Sequence, residues 1–382
     1  MDRVIHAGSV VYTGIGRPTE QAGVLVDEGR VVRVAPLARL QLDAPEASIV
    51  ERRTVLAPPP VNAHTHLDMS DYPYHELPYG EWIPWVVAQA VAGLRSAQAA
   101  RRGLQTLIDD GISAFGDIVT LEEVMVELLT SSPLPGVAYW EVLEPNPEHA
   151  DAMLAETENR VRRWKALERP GGVRVGLSPH TGHTVSSRLL RGLMDLAARE
   201  NLPVQIHIAE APEETELYRF GTGSVAAGMT RAFGVGIAEI LGREPSPDLS
   251  PVRRLAALGI LDARPTLVHV VNVDATDVTL IARAGCPVVH CPRSNAALSC
   301  GVFPWAEFAR AGVEVGLGTD SVASGRTLRI REEVQAALET HGRAAGLGSV
   351  VRAAVKGGAR ALATRPPIVM GGDSLADLQG WP

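Results

Sequence analysis

The chain alternates short apolar runs with stretches of helical periodicity, and it does so eight times. The apolar runs fall near residues 55–64, 112–119, 136–143, 173–180, 204–210, 266–273, 288–292 and 313–320. Most of the stretches between them repeat their apolar positions at the helical period, as in 83–109, 151–168, 186–200 and 328–342. Glycine closes several of these helices, Gly111 and Gly342 among them. Eight strand–helix units predict an α/β fold, a closed parallel (β/α)8 TIM-like barrel. Residues 3–56 read differently, as short extended runs joined by turns; Asp27-Glu28-Gly29-Arg30 leads into Val31-Val32-Arg33-Val34. They predict a small β-sandwich unit, to which the tail around 368–378, with Gly371-Gly372-Asp373, returns. The domain reading is residues 1–57 for the first part of the β unit, 58–362 for the barrel and 363–382 for the return. Residues 213–250 exceed an ordinary connection and are expected to form part of a rim over the barrel mouth.

Composition narrows the function classes. The 382 residues are 46% hydrophobic and 21% charged, the balance of an ordinary globular protein that needs no disulfide or zinc staple. The formal net charge of -8 excludes nucleic acid and anionic membranes as main partners, since both select basic surfaces. The three cysteines, Cys286, Cys291 and Cys300, have no regular spacing and make no disulfide framework. No signal peptide is read at the start, and no run reaches the roughly 20 apolar residues of a membrane helix. A cytoplasmic protein is expected, and base rates favour a homodimer.

The histidines carry the chemistry. In a barrel of this type the site lies at the C-terminal ends of the strands. His64 and His66 end the first strand, His180 the fourth and Asp320 the eighth; His207, His269 and His290 lie on the fifth, sixth and seventh. Histidines two apart on a strand point to the same face and can reach one ion. Neutral imidazole and carboxylate suit zinc, and three histidines with an aspartate leave room for a water. A lone strand histidine is more often a hydrogen-bonded core residue, but six histidines and an aspartate at strand ends are not explained that way. For His290 a structural role and a substrate contact stay equally open. The fourth strand holds no lysine, glutamate or cysteine to bridge a second ion, so one divalent ion is expected. Zinc leads, and iron or manganese could fill a similar shell.

The strings Val61-Asn62-Ala63-His64-Thr65-His66, Leu177-Ser178-Pro179-His180, His207-Ile208-Ala209-Glu210, His290-Cys291-Pro292-Arg293-Ser294-Asn295 and Gly316-Leu317-Gly318-Thr319-Asp320-Ser321 resemble the amidohydrolase superfamily. They are most similar to its branch of nucleoside deaminases and chlorohydrolases and, within that branch, to the aminodeoxyfutalosine deaminase subfamily of menaquinone biosynthesis. The resemblance implies a mononuclear site with His64, His66, His207 and Asp320 as ligands. It also implies Glu210 as proton shuttle and His269 as hydrogen-bond partner of the attacking water; Asp320 is expected to accept that water's proton. The expected substrate is an adenine-type nucleoside carrying a benzoate carboxylate. Alternatives are adenosine, methylthioadenosine, adenosylhomocysteine or guanine deamination, chlorohydrolysis of a related heterocycle, and metal binding without turnover. His180, Trp82, Ser294 and Arg293 are the expected substrate contacts, with Arg219 and Arg188 as further candidates for the carboxylate, and a loop over 79–85 is expected to cover base or sugar. Three departures from the family pattern stand out. Pro59 replaces a usual glycine, Thr181-Gly182-His183 replaces Ala-Pro-Tyr, and Gly80-Glu81-Trp82 lies where adenosine-type members carry two acids before tryptophan.

Overall fold

Three consecutive prolines, Pro58-Pro59-Pro60, interrupt the first long apolar run. Proline has no N–H for a sheet ladder, so the run cannot continue as one central strand. In the computed structural model, which describes residues 3–52 and 54–381, the run divides between two sheets.

The first sheet gathers the two ends of the chain. Strands β1 (Val4–Val11), β2 (Thr19–Asp27), β3 (Arg30–Pro36), β4 (Ser48–Glu51) and β5 (Val55–Ala57) come from the N-terminal segment. Strand β14 (Gln379–Trp381) comes from the tail and pairs antiparallel with β5. Its order is β14-β5-β1-β2-β3, with β4 paired to β1. Among the described residues this is one six-stranded sheet, where two facing sheets were expected. Backbone bonds from Val369 to Thr13, Gly372 to Val31 and Leu375 to Gly29 tie the returning tail to it.

The remaining strands are parallel. Strands β6 (Val61–Thr65), β7 (Ala114–Val119), β8 (Gly136–Val142) and β9 (Val173–Pro179) form one four-stranded sheet. Strands β10 (Gln205–Ile208), β11 (Thr266–His269), β12 (Val288–His290) and β13 (Val315–Leu317) form the other. Single parallel bridges cross both seams, Leu177 to Val204 and Thr65 to Asp320. The strands are buried nearly throughout, as expected when helices cover a parallel sheet. The main core packs helix residues such as Leu107, Leu128, Trp164, Leu193 and Ile281 against strand residues such as Phe115, Val175 and Ile206.

Several helices differ from the periodicity. The stretch 83–109 is two helices, Tyr79–Val91 and Ala97–Asp109. Gly93 turns between them at φ 81°, and the Ser96 hydroxyl caps the second by accepting from Ala99 N at 3.1 Å. Residues 79–85 are therefore helix rather than loop. Gly111 ends its helix with positive φ as expected, but Gly342 lies inside the helix Ile330–Arg352, whose break falls at Gly346. Residues 213–250 contribute to the helices Pro212–Phe220, Gly223–Phe233 and Ile237–Leu241, which share their own apolar cluster of Leu217, Met229, Ile240 and Leu249.

Candidate active site

The C-terminal ends of β6, β10, β11 and β13 bring His64, His66, His207, Glu210, His269 and Asp320 into one buried group. Three of these positions owe their direction to unusual backbone. His269 (φ 72°) and Asp320 (φ 58°) are left-handed, as are Ala209 (φ 50°), just before Glu210, and Val270 (φ 49°). Non-glycine residues seldom adopt this region, and it costs of order 1–3 kcal/mol each, so the surrounding fold holds them there. Gly318 supplies the space beside His64; a Cβ at that position would stand 2.7 Å from His64 Cβ.

Hydrogen bonds fix which ring nitrogen of His64 and of His207 faces inward. His64 Nδ1 donates to Gln205 Oε1 at 2.7 Å, and the Gln205 amide is itself oriented by donating to Ala63 O at 2.8 Å. His207 Nδ1 donates to His180 O at 3.0 Å. Burial lowers the His64 pKa to about 4 and that of His207 well below the ordinary value, so both are neutral at pH 7. Their Nε2 atoms then carry lone pairs, and these face each other across only 3.2 Å with no proton between them. Two nitrogens bound about 2.0–2.1 Å from one tetrahedral ion would stand roughly 3.3–3.4 Å apart. His66 Nε2 lies 3.4 Å and His64 Nε2 3.9 Å from Asp320 Oδ1. The other carboxylate oxygen is occupied by Ser294 Oγ at 2.6 Å and Ser324 Oγ at 3.3 Å. This donor set, with facing lone pairs and one carboxylate oxygen turned to them, fits a divalent cation.

Glu210 adjoins that group, one ligand atom each of Glu210, His269 and Asp320 lying within 4.8 Å of one another. Its Oε1 lies 3.6 Å from His269 Nε2, and its backbone is clamped by Glu214 Oε2 on the N–H and Asn272 Nδ2 on the carbonyl. Burial raises its pKa to about 7, His269 opposing and Asp320 adding to the rise. A carboxyl of this kind can hold a proton near neutral pH and give it up.

His269 Nδ1 bonds Asn295 Oδ1 at 2.9 Å, Asn295 Nδ2 faces His290 Nδ1 at 3.4 Å, and His290 Nε2 faces His341 Nε2 at 3.2 Å. Because an amide oxygen only accepts, His269 donates from Nδ1 and turns its Nε2 towards Glu210 and the cavity. His290 is thereby seen to support this chain from behind rather than to line the pocket.

A cavity of about 510 Å³ opens from these groups to the surface between the helices Tyr79–Val91 and Gly223–Phe233. His180 and Trp82 line it, as the sequence reading expected of substrate contacts. Ser294 does not, because its hydroxyl is spent on Asp320. Nor does Arg293. Its guanidinium pairs with Glu332, with Nε 4.0 Å from Oε1 of the fully buried Glu333, while its backbone N–H donates to Glu333 Oε2 at 3.0 Å. Arg188 pairs with Asp151, and neither it nor Arg219 lines the cavity. Two other arginines do, Arg95 and Arg231. The sequence reading also passed over Glu141, Gln205 and Asn295. Gln205 could have been found from its place two residues before His207, on the same strand face, and Asn295 from its string; nothing local marks Glu141 or the arginines.

The chain belongs to the amidohydrolase family, whose model matches residues 55–365. Among relatives, it is 49% identical over 375 residues to the aminodeoxyfutalosine deaminase of Deinococcus radiodurans, covering 97% of this chain and 88% of that protein. It is 29% identical to a 5-methylthioadenosine/S-adenosylhomocysteine deaminase of Syntrophobacter fumaroxidans, covering 91% and 76%. In fold it matches Helicobacter pylori aminofutalosine deaminase crystallised with methylthio-coformycin, with a TM-score of 0.74 and 21% identity over 97% of this chain and 90% of that one. It also matches an adenosine deaminase of Xanthomonas campestris with bound zinc, with a TM-score of 0.70 and 23% identity over 98% and 83%.

Proposed function

We propose that this chain is a hydrolytic deaminase that converts aminodeoxyfutalosine and water to futalosine and ammonia. The observation that carries the reading is the pairing of a cation-ready cluster with an adjoining, protonatable Glu210 at the floor of one cavity. The near full-length likeness to the Deinococcus radiodurans enzyme supports the substrate. The bridges at both seams support closure of the two parallel sheets into one eight-stranded barrel.

His64, His66, His207 and Asp320 are assigned as the holders of one divalent ion, zinc by the preference of nitrogen and carboxylate donors. Such an ion supplies Lewis acidity that can lower the pKa of a water from 15.7 to about 7. Asp320 accepts the proton of the attacking water, with its other oxygen steadied by Ser294 and Ser324. His269 holds that water in line through its Nε2. Protonated Glu210 donates to the ring nitrogen beside the amino-bearing carbon; its carboxylate then takes the proton of the added hydroxyl as the C–N bond breaks and passes it to the departing amino group, which leaves as ammonia, and the proton held by Asp320 returns to Glu210. Zinc-dependent base deaminases of another fold use a non-ligand glutamate in this way. Glu141 takes the place of the missing acid before Trp82. Its Oε1 is buried without a partner at the cavity wall, 3.9 Å from His180 Nε2, where a sugar hydroxyl can be accepted.

The test is ammonia release from aminodeoxyfutalosine and from adenosine, with metal content measured on the same sample. Glu210→Gln is expected to keep the metal and lose about 10²–10⁴-fold in kcat. Near-normal turnover by the metal-loaded variant would remove Glu210 from the mechanism.

A further inference from the structure

The cavity changes character along its length. Its floor holds the polar groups Glu141, Glu210, His269 and Asp320. Its mouth is apolar and open: Val87 is 55%, Phe233 40% and Leu143 39% exposed. Large apolar side chains left in water around one opening mark a binding surface. Arg231 lies beside them, two residues before Phe233 at the end of the helix Gly223–Phe233. It is exposed, and no salt bridge joins it to a carboxylate among the described residues. Arg95, the other arginine of the cavity, is already committed deeper in. Its Nε lies 3.5 Å from Asp68 Oδ1 and its Nη1 donates to Thr120 Oγ1 at 3.0 Å.

We propose that Arg231, with Phe233, Val87 and Leu143, forms an outer subsite for an aromatic carboxylate at the far end of the nucleoside. The inference rests on the deaminase reading and deepens it by naming the residues that select the substrate. An aryl carboxylate presents a flat apolar ring and, in its plane, two acceptor oxygens. The exposed apolar side chains offer the first a wall, and a guanidinium offers the second a planar fork. The cation is also needed for electrostatic reasons, since the net charge is -8 and the floor carries three carboxyl groups, so an anionic substrate arrives against a like field. A rim charge of this kind acts on binding and discrimination more than on the chemical step.

The test compares kcat/KM for aminodeoxyfutalosine with kcat/KM for adenosine in the metal-loaded enzyme. Arg231→Met is expected to lower that ratio about tenfold through KM, with Arg231→Lys intermediate because it keeps the charge and loses the fork. The Lys variant also separates loss of the cation from any local disturbance of the helix. A ratio unchanged within twofold in Arg231→Met would overturn the proposal, as would a ratio that collapses in Arg95→Met and not in Arg231→Met. Binding of futalosine and of inosine to the same proteins is measured by calorimetry alongside. If the wild type deaminates neither nucleoside yet binds futalosine about tenfold tighter than inosine, and Arg231→Met abolishes that difference, the deaminase reading fails and the subsite stands. If futalosine and inosine bind the wild type equally, the subsite fails whatever the turnover.

Discussion

At the scale of single residues, the site is built by partners that choose which nitrogen of a histidine is free. Gln205 does this for His64, the His180 carbonyl for His207 and Asn295 for His269. One consequence concerns pH. An exposed histidine has a pKa near 6.5 and loses metal affinity as pH falls through that value. Here burial depresses the His64 pKa to about 4 and that of His207 well below 6.5. The lone pairs therefore stay available below pH 6, and protons compete only at more acid values. Zinc affinity, measured by competition with a chelator of known pH dependence, is expected to be nearly flat from pH 8 to 6. A steep loss beginning at 6.5 would show that these histidines are solvated like surface ones. The His-x-His spacing and the string after His207 made the inner residues legible, because a strand fixes side-chain direction from sequence alone. The arginines were not legible. A long flexible side chain has no periodicity to betray its target, and the Arg293 guanidinium goes to Glu332 and Glu333, which lie about forty residues along the chain.

At the scale of elements, the departure at Gly80 has a packing reason. A Cβ there would meet Ser224 Oγ at 2.4 Å and Ser224 Cβ at 3.2 Å. The helices Tyr79–Val91 and Gly223–Phe233 touch at this point, so an acid at position 80 and this rim exclude one another. Gly80→Ala is expected to push the helices apart and raise KM several-fold with a smaller change in kcat. Ser224→Gly in the same chain should recover most of the loss. An unaltered KM in the single variant would mean that the rim yields freely. Helix existence was read correctly from periodicity, whereas helix limits were not. The breaks at Gly93 and Gly346 depend on positive φ, which a glycine permits but does not announce, and Gly342 sits undisturbed inside a helix. The prolines at 58–60 did carry a signal, since the missing N–H groups forbid one continuous strand, but the apolar run concealed it.

At the scale of the whole molecule, the candidate ligands come from strands in both parallel sheets, β6 in one and β10 and β13 in the other. A cation held between them would tie the sheets together and bind the folded chain alone, so it stabilises by mass action; at a hundredfold excess over Kd this is about 2.7 kcal/mol. Chelation is expected to lower Tm by several degrees and added zinc to restore it, with His207→Ala abolishing the response. An identical Tm for loaded and metal-free protein, measured calorimetrically, would separate the ion from the fold. The pattern of eight apolar runs, the ends of strands where the histidines stand and the resemblance carried by five strings were determined by the sequence itself. They follow from local rules: strand alternation, helical period and the chemistry of neighbouring residues. Only the tertiary structure decided that Gln205 and Asn295 orient the histidines, that Ser294 serves Asp320, and that Arg231 rather than Arg293 stands at the mouth. Those choices depend on which side chains meet across tens to hundreds of residues, and a chain fixes such meetings only when its sheets and rim have packed.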